Sequence, residues 1–367
     1  MEGKIKTLLT EISGVKEIEP NQPLVDSGVV VSIHFIELIL SLEKAFDIQI
    51  RTFDAVPEQF LTINTIAAFV REKDSKKDEG DPLHFHPEVL NRRTGTEREV
   101  GDITEQLLQA KHLKLTGDGK VVLDGFLTRL QERFDGFFQD MAAHFDATAQ
   151  VHPAEISLDV LTRAGYLRSF PKLLKYCPGE PPQAALVPAA CLPCYSQYSG
   201  MDLQDSFCLT TANTVSRQEQ EGYLGLERLA EFKMREILFF GSEQEIENNI
   251  NVILERIRNL AEELDLTYQI STANDSFVAP EDSSKKAYQL AARDKLELQA
   301  YLPDKKKYLA IASINKHHQH FSKAFNIKHK GLTAQTACVG FGLERWCLAF
   351  LAQHGLDVSR WPQKMKQ

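Results

Sequence analysis

The chain has 367 residues, of which 43% are hydrophobic and 25% charged, and it carries six cysteines and a formal net charge of −9. That is ordinary globular composition with ample core material for two or three domains, and it excludes a disordered, collagen-like or disulfide-dense chain. The acidic balance lacks the electrostatic footprint of a typical nucleic-acid binder, and no apolar run approaches the ~20 residues of a membrane span. The opening MEGKIKTLLTEISG has no apolar signal core, so the expected location is cytoplasmic, with reduced cysteines that are buried, metal-bound or catalytic.

The first predicted element is a helix near KIKTLLTEI (4–12). IHFIELILSLEKAF (33–46) and TINTIAAFVREK (62–73) follow as amphipathic helices, with Thr62 as an N-cap and Pro57 in the first turn of a short helix between them. Together they predict a small four-helix bundle over 1–72, with 6 Lys+Arg against 11 Asp+Glu, or −5. KDSKKDEGDP (73–82) has no apolar residue and reads as a linker. Beyond it, 83–367 mixes strands and helices irregularly. DGFLTRLQERFDGFFQDMAAHF (124–145) is a long amphipathic helix. SEQEIENNINVILERIRNLAEELDL (242–266) is another, with Ser242 and Glu245 as a capping box. KLELQAYLP (295–303) and YLAIASIN (308–315) alternate as adjacent strands around DKKK, and GLERWCLAFLAQHG (342–355) is a helix closed by Gly355. The expected class is α+β: a helical bundle, then an antiparallel sheet flanked by helices.

LVDSGVVVSIHFIELILSLEKAFDIQI (24–50) with VPEQFLTINTIAAFV (56–70) resembles an acyl or peptidyl carrier protein. The resemblance puts Ser32 on the serine that accepts 4′-phosphopantetheine from a phosphopantetheinyl transferase, after the turn Asp26-Ser27-Gly28. A helix start suits an attached phosphate, because its free amides and dipole favour an anion. Val31 stands where that family usually has Asp, and by itself Ser32 also reads as a plain N-cap.

Three segments of the large unit resemble a class II aminoacyl-tRNA synthetase core. TACVGFGLERWCLAFL (336–351) resembles its third motif: Gly340 and Gly342 allow close backbone approach, and Arg345 faces the triphosphate. SRQEQEGYLGLERLAEFKMREILFFG (216–241) resembles the second. It puts Arg217 at the α-phosphate and amino-acid carboxylate, Glu219 near the adenine, and Phe232 as a stacking candidate. KKAYQLAARDKLELQAYLPDKKKYLAIASINKHHQHFSKAF (285–325) is similar to the pocket-lining stretch of seryl-tRNA synthetases, with Ser313 and Asn315 as its Ser-x-Asn. Leu309 and Ala310 occupy the place of the Glu that typically carries Mg²⁺ with ATP.

Among such enzymes the chain is most similar to the amino acid:carrier-protein ligases. That resemblance implies an active-site zinc on Cys191, Glu236 and Cys338, with a fourth position open for the substrate's α-amino group. It also implies that Asp275 helps fix that group; Asp275 reads equally as a turn residue in an Asn-Asp-Ser loop. Cys191-x-x-Cys194 is alternatively half of a structural zinc site, although no second CxxC exists. Cys177, Cys194, Cys208 and Cys347 read as buried residues, and His317, His318 and His320 as pocket-lining or surface residues that could also ligate metal. The implied activity uses ATP and a small amino acid, glycine or alanine foremost. An aminoacyl-adenylate forms, and the acyl group passes to a phosphopantetheine thiol on residues 1–72. The expected assembly is a homodimer with no tRNA and no membrane partner. Two other readings stand beside it: a ligase charging a separate carrier with 1–72 as a docking module, and an inactive amino-acid or adenylate-binding protein.

Overall fold

The computed structural model describes residues 1–24, 27, 29, 30, 32–48, 50, 57–75, 87–273 and 293–366. It divides into two compact units, Met1–Glu88 with Thr272–Asp294, and Val89–Ser271 with Lys295–Gln367. No described helix is long and apolar enough to cross a membrane.

The first unit holds helices α1 (Glu2–Ser13), α2 (Ser32–Phe46) and α3 (Ile63–Ser75), with a 3₁₀ turn at Pro57–Phe60. Residues at helical spacing form its core: Ile5 and Leu9 from α1, Leu38, Ile39 and Leu42 from α2, and Ile63, Ile66, Ala67 and Val70 from α3. Gly14, at φ 73°, closes α1 in the left-handed conformation that glycine adopts without a Cβ penalty. Thr62 caps α3, its Oγ1 accepting from the Thr65 N–H at 3.1 Å. Among the described residues, the short helix expected from Pro57 is a 3₁₀ turn. Asp26, Gly28, Val31, the Ser32 side chain and residues 76–82 of the expected linker lie outside the described residues.

The second unit is built on an eight-stranded sheet. Its strands are β1 (Val89–Arg93), β2 (Thr148–Gln150), β3 (Phe207–Ser216), β4 (Glu231–Gly241), β5 (Tyr268–Thr272), β6 (Lys295–Leu302), β7 (Lys307–His318) and β8 (Gln335–Gly342). Their order is β1-β5-β6-β7-β8-β4-β3-β2. The pairs β1·β5, β6·β7, β7·β8, β8·β4 and β4·β3 are antiparallel, and β2 runs parallel to β3. Among its helices, α4 (Gly125–Ala143), α5 (Leu192–Gln197), α6 (Glu243–Glu263) and α7 (Leu343–His354) matter most to the site and its support.

Local chemistry explains the helix ends. Asp124 accepts from the N–H groups of Phe126 and Leu127 at the start of α4. Ser242 and Glu245 form a complete capping box on α6. Gly355 follows α7 at φ 74°.

Period-two alternation divides the sheet into two faces. Ile237, Phe239, Ala337, Val339 and Phe341 share one core with α4, α6 and α7. There Phe138 stacks on Phe341 with ring centroids 4.1 Å apart. Leu238, Phe240 and Cys338 turn the other way, into a second cluster with Cys191, Leu192, Cys194 and Tyr195 of the α5 region. In β6 the buried Leu296, Leu298, Ala300 and Leu302 alternate with half-buried Lys295, Glu297, Gln299 and Tyr301.

A candidate metal and nucleotide site

Strand register assembles the site. Glu236 pairs with Gly340 across β4·β8, and Cys338 with Leu238. Across β7·β8, Ser313 pairs with Gly340 and Asn315 with Cys338. Across β6·β7, Glu297 pairs with Ser313. Directly opposed residues of an antiparallel ladder point to the same face. Glu236, Cys338, Ser313, Asn315 and Glu297 therefore share the face turned away from α4, α6 and α7. Cys191, the N-cap of α5, closes over that face, and its backbone N–H donates to Glu236 Oε1 at 3.2 Å.

Cys191, Glu236 and Cys338 are all buried, and their ligand atoms lie within 4.8 Å of one another. Cys194 and the histidines are outside this group. Contact with Cys338 and then burial push the Cys191 thiol well up, and burial raises the Glu236 carboxyl. Three acidic groups gathered out of water are a poor arrangement for a bare protein interior. A divalent cation reverses that balance by favouring the deprotonated forms. Two sulfurs and one carboxylate oxygen are a donor set that suits zinc and leave a coordination position for another ligand. Asn315 Nδ2 donates to Ser313 Oγ at 3.3 Å and to Cys338 Sγ at 3.7 Å, so the Ser-x-Asn segment touches the metal-ligand group.

Beside this group lies a concentration of positive charge. The Arg217 guanidinium stands 5.4 Å from the Phe232 ring centroid and donates through Nε to the Pro188 carbonyl at 2.8 Å. Arg345 Nε donates to the Glu227 carbonyl at 2.8 Å and Nη1 to the Ala310 carbonyl at 3.1 Å. Burial and then the Arg217 charge lower the Arg345 guanidinium from its ordinary value, while Glu297 and Glu219 act in the opposite sense. The Glu236 carboxyl stays raised by burial, with hydrogen bonds from Cys191 and Cys338 and then the Arg217 charge opposing that rise. Two guanidiniums, the acidic Glu219 and Glu297, and the ligand group thus interact within one electrostatic neighbourhood. It is suited to a polyanionic ligand. A methyl on Gly340 would meet Met234 and Ser313 Oγ at 3.6 Å, filling space on the site face.

Several members of the site carry no local sequence signal. Glu227 is buried, and its carboxylate pairs with Lys305 and with Lys307 at 2.6 Å, while its carbonyl holds Arg345. It ties the Gly225–Glu227 turn to the β6–β7 hairpin. Glu297 was legible as a polar position in an alternating strand, but its neighbours were not. Tyr195, whose hydroxyl lies 3.0 Å from His317 Nδ1, is another. Ala310 contributes its carbonyl, to Arg345. Cys194 is fully buried, as expected, with Sγ 3.2 Å from His152 Nε2. Cys208 and Cys347 are buried too; Cys177 is only half-buried, which corrects the expectation for that residue. Asp275 lies outside the described residues.

Residues 180–354 match the tRNA synthetase class II core domain (G, H, P, S and T). Amino acid–[acyl-carrier-protein] ligase 1 of Bradyrhizobium diazoefficiens is 26% identical, over 76% of this chain and 93% of the relative. A type-2 serine–tRNA ligase of Methanococcus aeolicus is 33% identical, over 50% of this chain and 37% of the relative, so the chain spans well under half the length of that protein. Among solved structures, the M. kandleri seryl-tRNA synthetase in complex with A. aeolicus tRNASec aligns with TM-score 0.67 and 23% identity, covering 83% of this chain and 66% of that one. The cytoplasmic serine-tRNA ligase of Naegleria fowleri in complex with AMP gives TM-score 0.66 at 13% identity, covering 100% of this chain and 93% of that one. The chain therefore carries a class II synthetase-like core with a large antiparallel sheet, and it is related to an amino acid–[acyl-carrier-protein] ligase.

Proposed function

We propose that this chain activates a small amino acid with ATP and transfers it to a carrier-bound phosphopantetheine thiol. The observation that carries the reading is the gathering of Cys191, Glu236 and Cys338 beside Arg217 and Arg345. One group offers a metal position for an amine, and the other offers fixed positive charge for phosphates.

In the first step an amino-acid carboxylate oxygen attacks the α-phosphorus of Mg²⁺-bound ATP. The bond to the β-phosphate breaks, and pyrophosphate leaves. Arg217 and Arg345, held by the Pro188, Glu227 and Ala310 carbonyls, meet the charge that develops on the phosphoryl oxygens. Glu219 and Phe232 are assigned to the adenine side, Ser313 and Asn315 to the amino-acid side, and Asp275 to the substrate amine. Zinc on Cys191, Glu236 and Cys338, when bound, supplies a Lewis acid that takes the neutral amine of the substrate and rejects acids lacking one. In the second step the thiol sulfur attacks the activated carbonyl and gives up its proton to solvent, the C–O bond to AMP breaks, and a thioester forms as AMP leaves.

Glycine and alanine are the proposed substrates. The proposed acceptor is 4′-phosphopantetheine on Ser32, loaded by a phosphopantetheinyl transferase, with 1–72 as the carrier, 73–82 as the linker and 83–367 as the activating domain of a homodimer. A tethered acceptor gains effective concentration, up to about the millimolar range for short flexible linkers. Val31, in place of the usual Asp, favours a second reading in which a separate carrier is charged and 1–72 serves as its docking module. The test is intact mass after incubation with a phosphopantetheinyl transferase, coenzyme A, ATP and single amino acids. A phosphopantetheine increment followed by an aminoacyl increment supports self-charging. An unmodified chain that charges a free carrier supports the second reading, and no amino-acid-dependent pyrophosphate exchange overturns both.

A further inference from the structure

His317 lies outside the three-residue ligand group, yet its Nε2 is 3.6 Å from Cys338 Sγ. Its other nitrogen, Nδ1, is 3.0 Å from the Tyr195 hydroxyl. We propose that His317, aimed by Tyr195, is a positioning residue that donates a hydrogen bond to the Cys338 thiolate and tunes the metal held there. This inference rests on the metal reading above.

The direction of both bonds follows from chemistry. A metal-bound thiolate accepts hydrogen bonds and donates none, so the proton facing Cys338 must sit on His317 Nε2. In the neutral ring, Nδ1 is then an acceptor, and the Tyr195 hydroxyl donates to it. Tyr195 is fixed for that task. It is fully buried, stacks on Phe321 with centroids 4.2 Å apart and planes at 17°, and packs against Phe240 at 5.5 Å. His317 meets Phe321 edge-on at 4.8 Å. Tyr195 also sits four residues after Cys191, one turn along α5. The short helix that presents one thiolate thereby holds the hydrogen-bond donor of the other.

Cys338 Sγ then receives two donors, His317 Nε2 and Asn315 Nδ2. Each withdraws electron density from the sulfur. A less electron-rich thiolate leaves the bound metal a stronger acceptor for an incoming amine. Partners of this kind also orient a ligand, and losing one typically costs 10–100-fold in metal affinity or activity.

The experiment replaces the metal of the full chain with Co²⁺ and reads the thiolate-to-cobalt charge-transfer band in the parent, His317→Leu, His317→Gln and Tyr195→Phe. Zinc loss to a chromogenic chelator is followed in parallel. The expected result is a band moved to longer wavelength in His317→Leu, with zinc loss roughly 10-fold faster or more. His317→Gln, which keeps an N–H near the Nε2 position, should return both towards the parent. Tyr195→Phe should move the band part of the way. A parent band that stays in place in His317→Leu, with unchanged zinc loss, overturns the inference alone. A Tyr195→Phe band at the parent position removes Tyr195 from the relay. A parent chain that shows no thiolate–cobalt band overturns the metal reading itself, and this inference with it.

Discussion

Asn315 and Cys338 face each other across the antiparallel strands β7 and β8, and Asn315 Nδ2 donates to Cys338 Sγ at 3.7 Å. One belongs to the Ser-x-Asn stretch, the other to the segment that turns into α7. Their pairing joins the Ser-x-Asn segment to the strand that carries a candidate metal ligand through a single ladder register. A one-residue slip of that register would turn Cys338 into the opposite core.

The metal centre is the first prediction. The chain should carry one zinc per protomer by inductively coupled plasma mass spectrometry. Cys338→Ser should lose zinc and amino-acid-dependent pyrophosphate exchange together. Stoichiometric zinc in a Cys191→Ser, Cys338→Ser double variant would reject the assignment.

Among the described residues, Arg217 and Arg345 donate hydrogen bonds to backbone carbonyls, which fix both guanidiniums without neutralising their charge. Arg345→Ala should lower pyrophosphate exchange roughly 10²-fold or more, the scale of removing a preorganised donor. Arg217→Ala should do the same. Zinc content should be unchanged in Arg345→Ala, which separates loss of phosphate stabilisation from collapse of the site.

The acceptor is tested at Ser32. Ser32→Ala should leave adenylate formation intact and abolish an aminoacyl thioester on the chain, read by intact mass. A thioester that persists in Ser32→Ala places the acceptor elsewhere.

Acid stability should depend on Asp265. Burial raises its carboxyl, but hydrogen bonds from Thr96, Arg98 and Arg93 prevail and hold it at about 2. A carboxyl whose folded value lies below its ordinary 3.8 adds stability that is present above the ordinary value and lost as pH falls towards about 2. The difference corresponds to on the order of 2 kcal/mol. Asp265 has φ 50°, a conformation Asn also tolerates, so Asp265→Asn isolates the charge. The variant should unfold more readily in urea at pH 6, with the gap to the parent closing by pH 2. A constant gap across that range would show that the carboxylate is not responsible.

Much of the fold follows from local pattern. The capping box at Ser242 and Glu245, the Asp124 and Thr62 caps, the Gly355 stop and the β6–β7 hairpin all depend on residues within a few positions of one another, and the structure has each of them. The Gly-x-Gly turn into α7 and the Ser-x-Asn strand are local in the same way, whereas the three candidate ligands follow only from the resemblance to the carrier-protein ligases. What those segments meet was decided only by the tertiary structure. Glu236 and Cys338 lie about a hundred positions apart, and they share a face because β4 and β8 pair in one register, while Cys191 joins them from a loop-to-helix turn on that face. The partners of Glu227, Tyr195 and His317 come from other elements, so no spacing encodes them. A side chain's periodicity reports which face it occupies; its chemistry depends on which distant residues the sheet register and helix packing bring to that face.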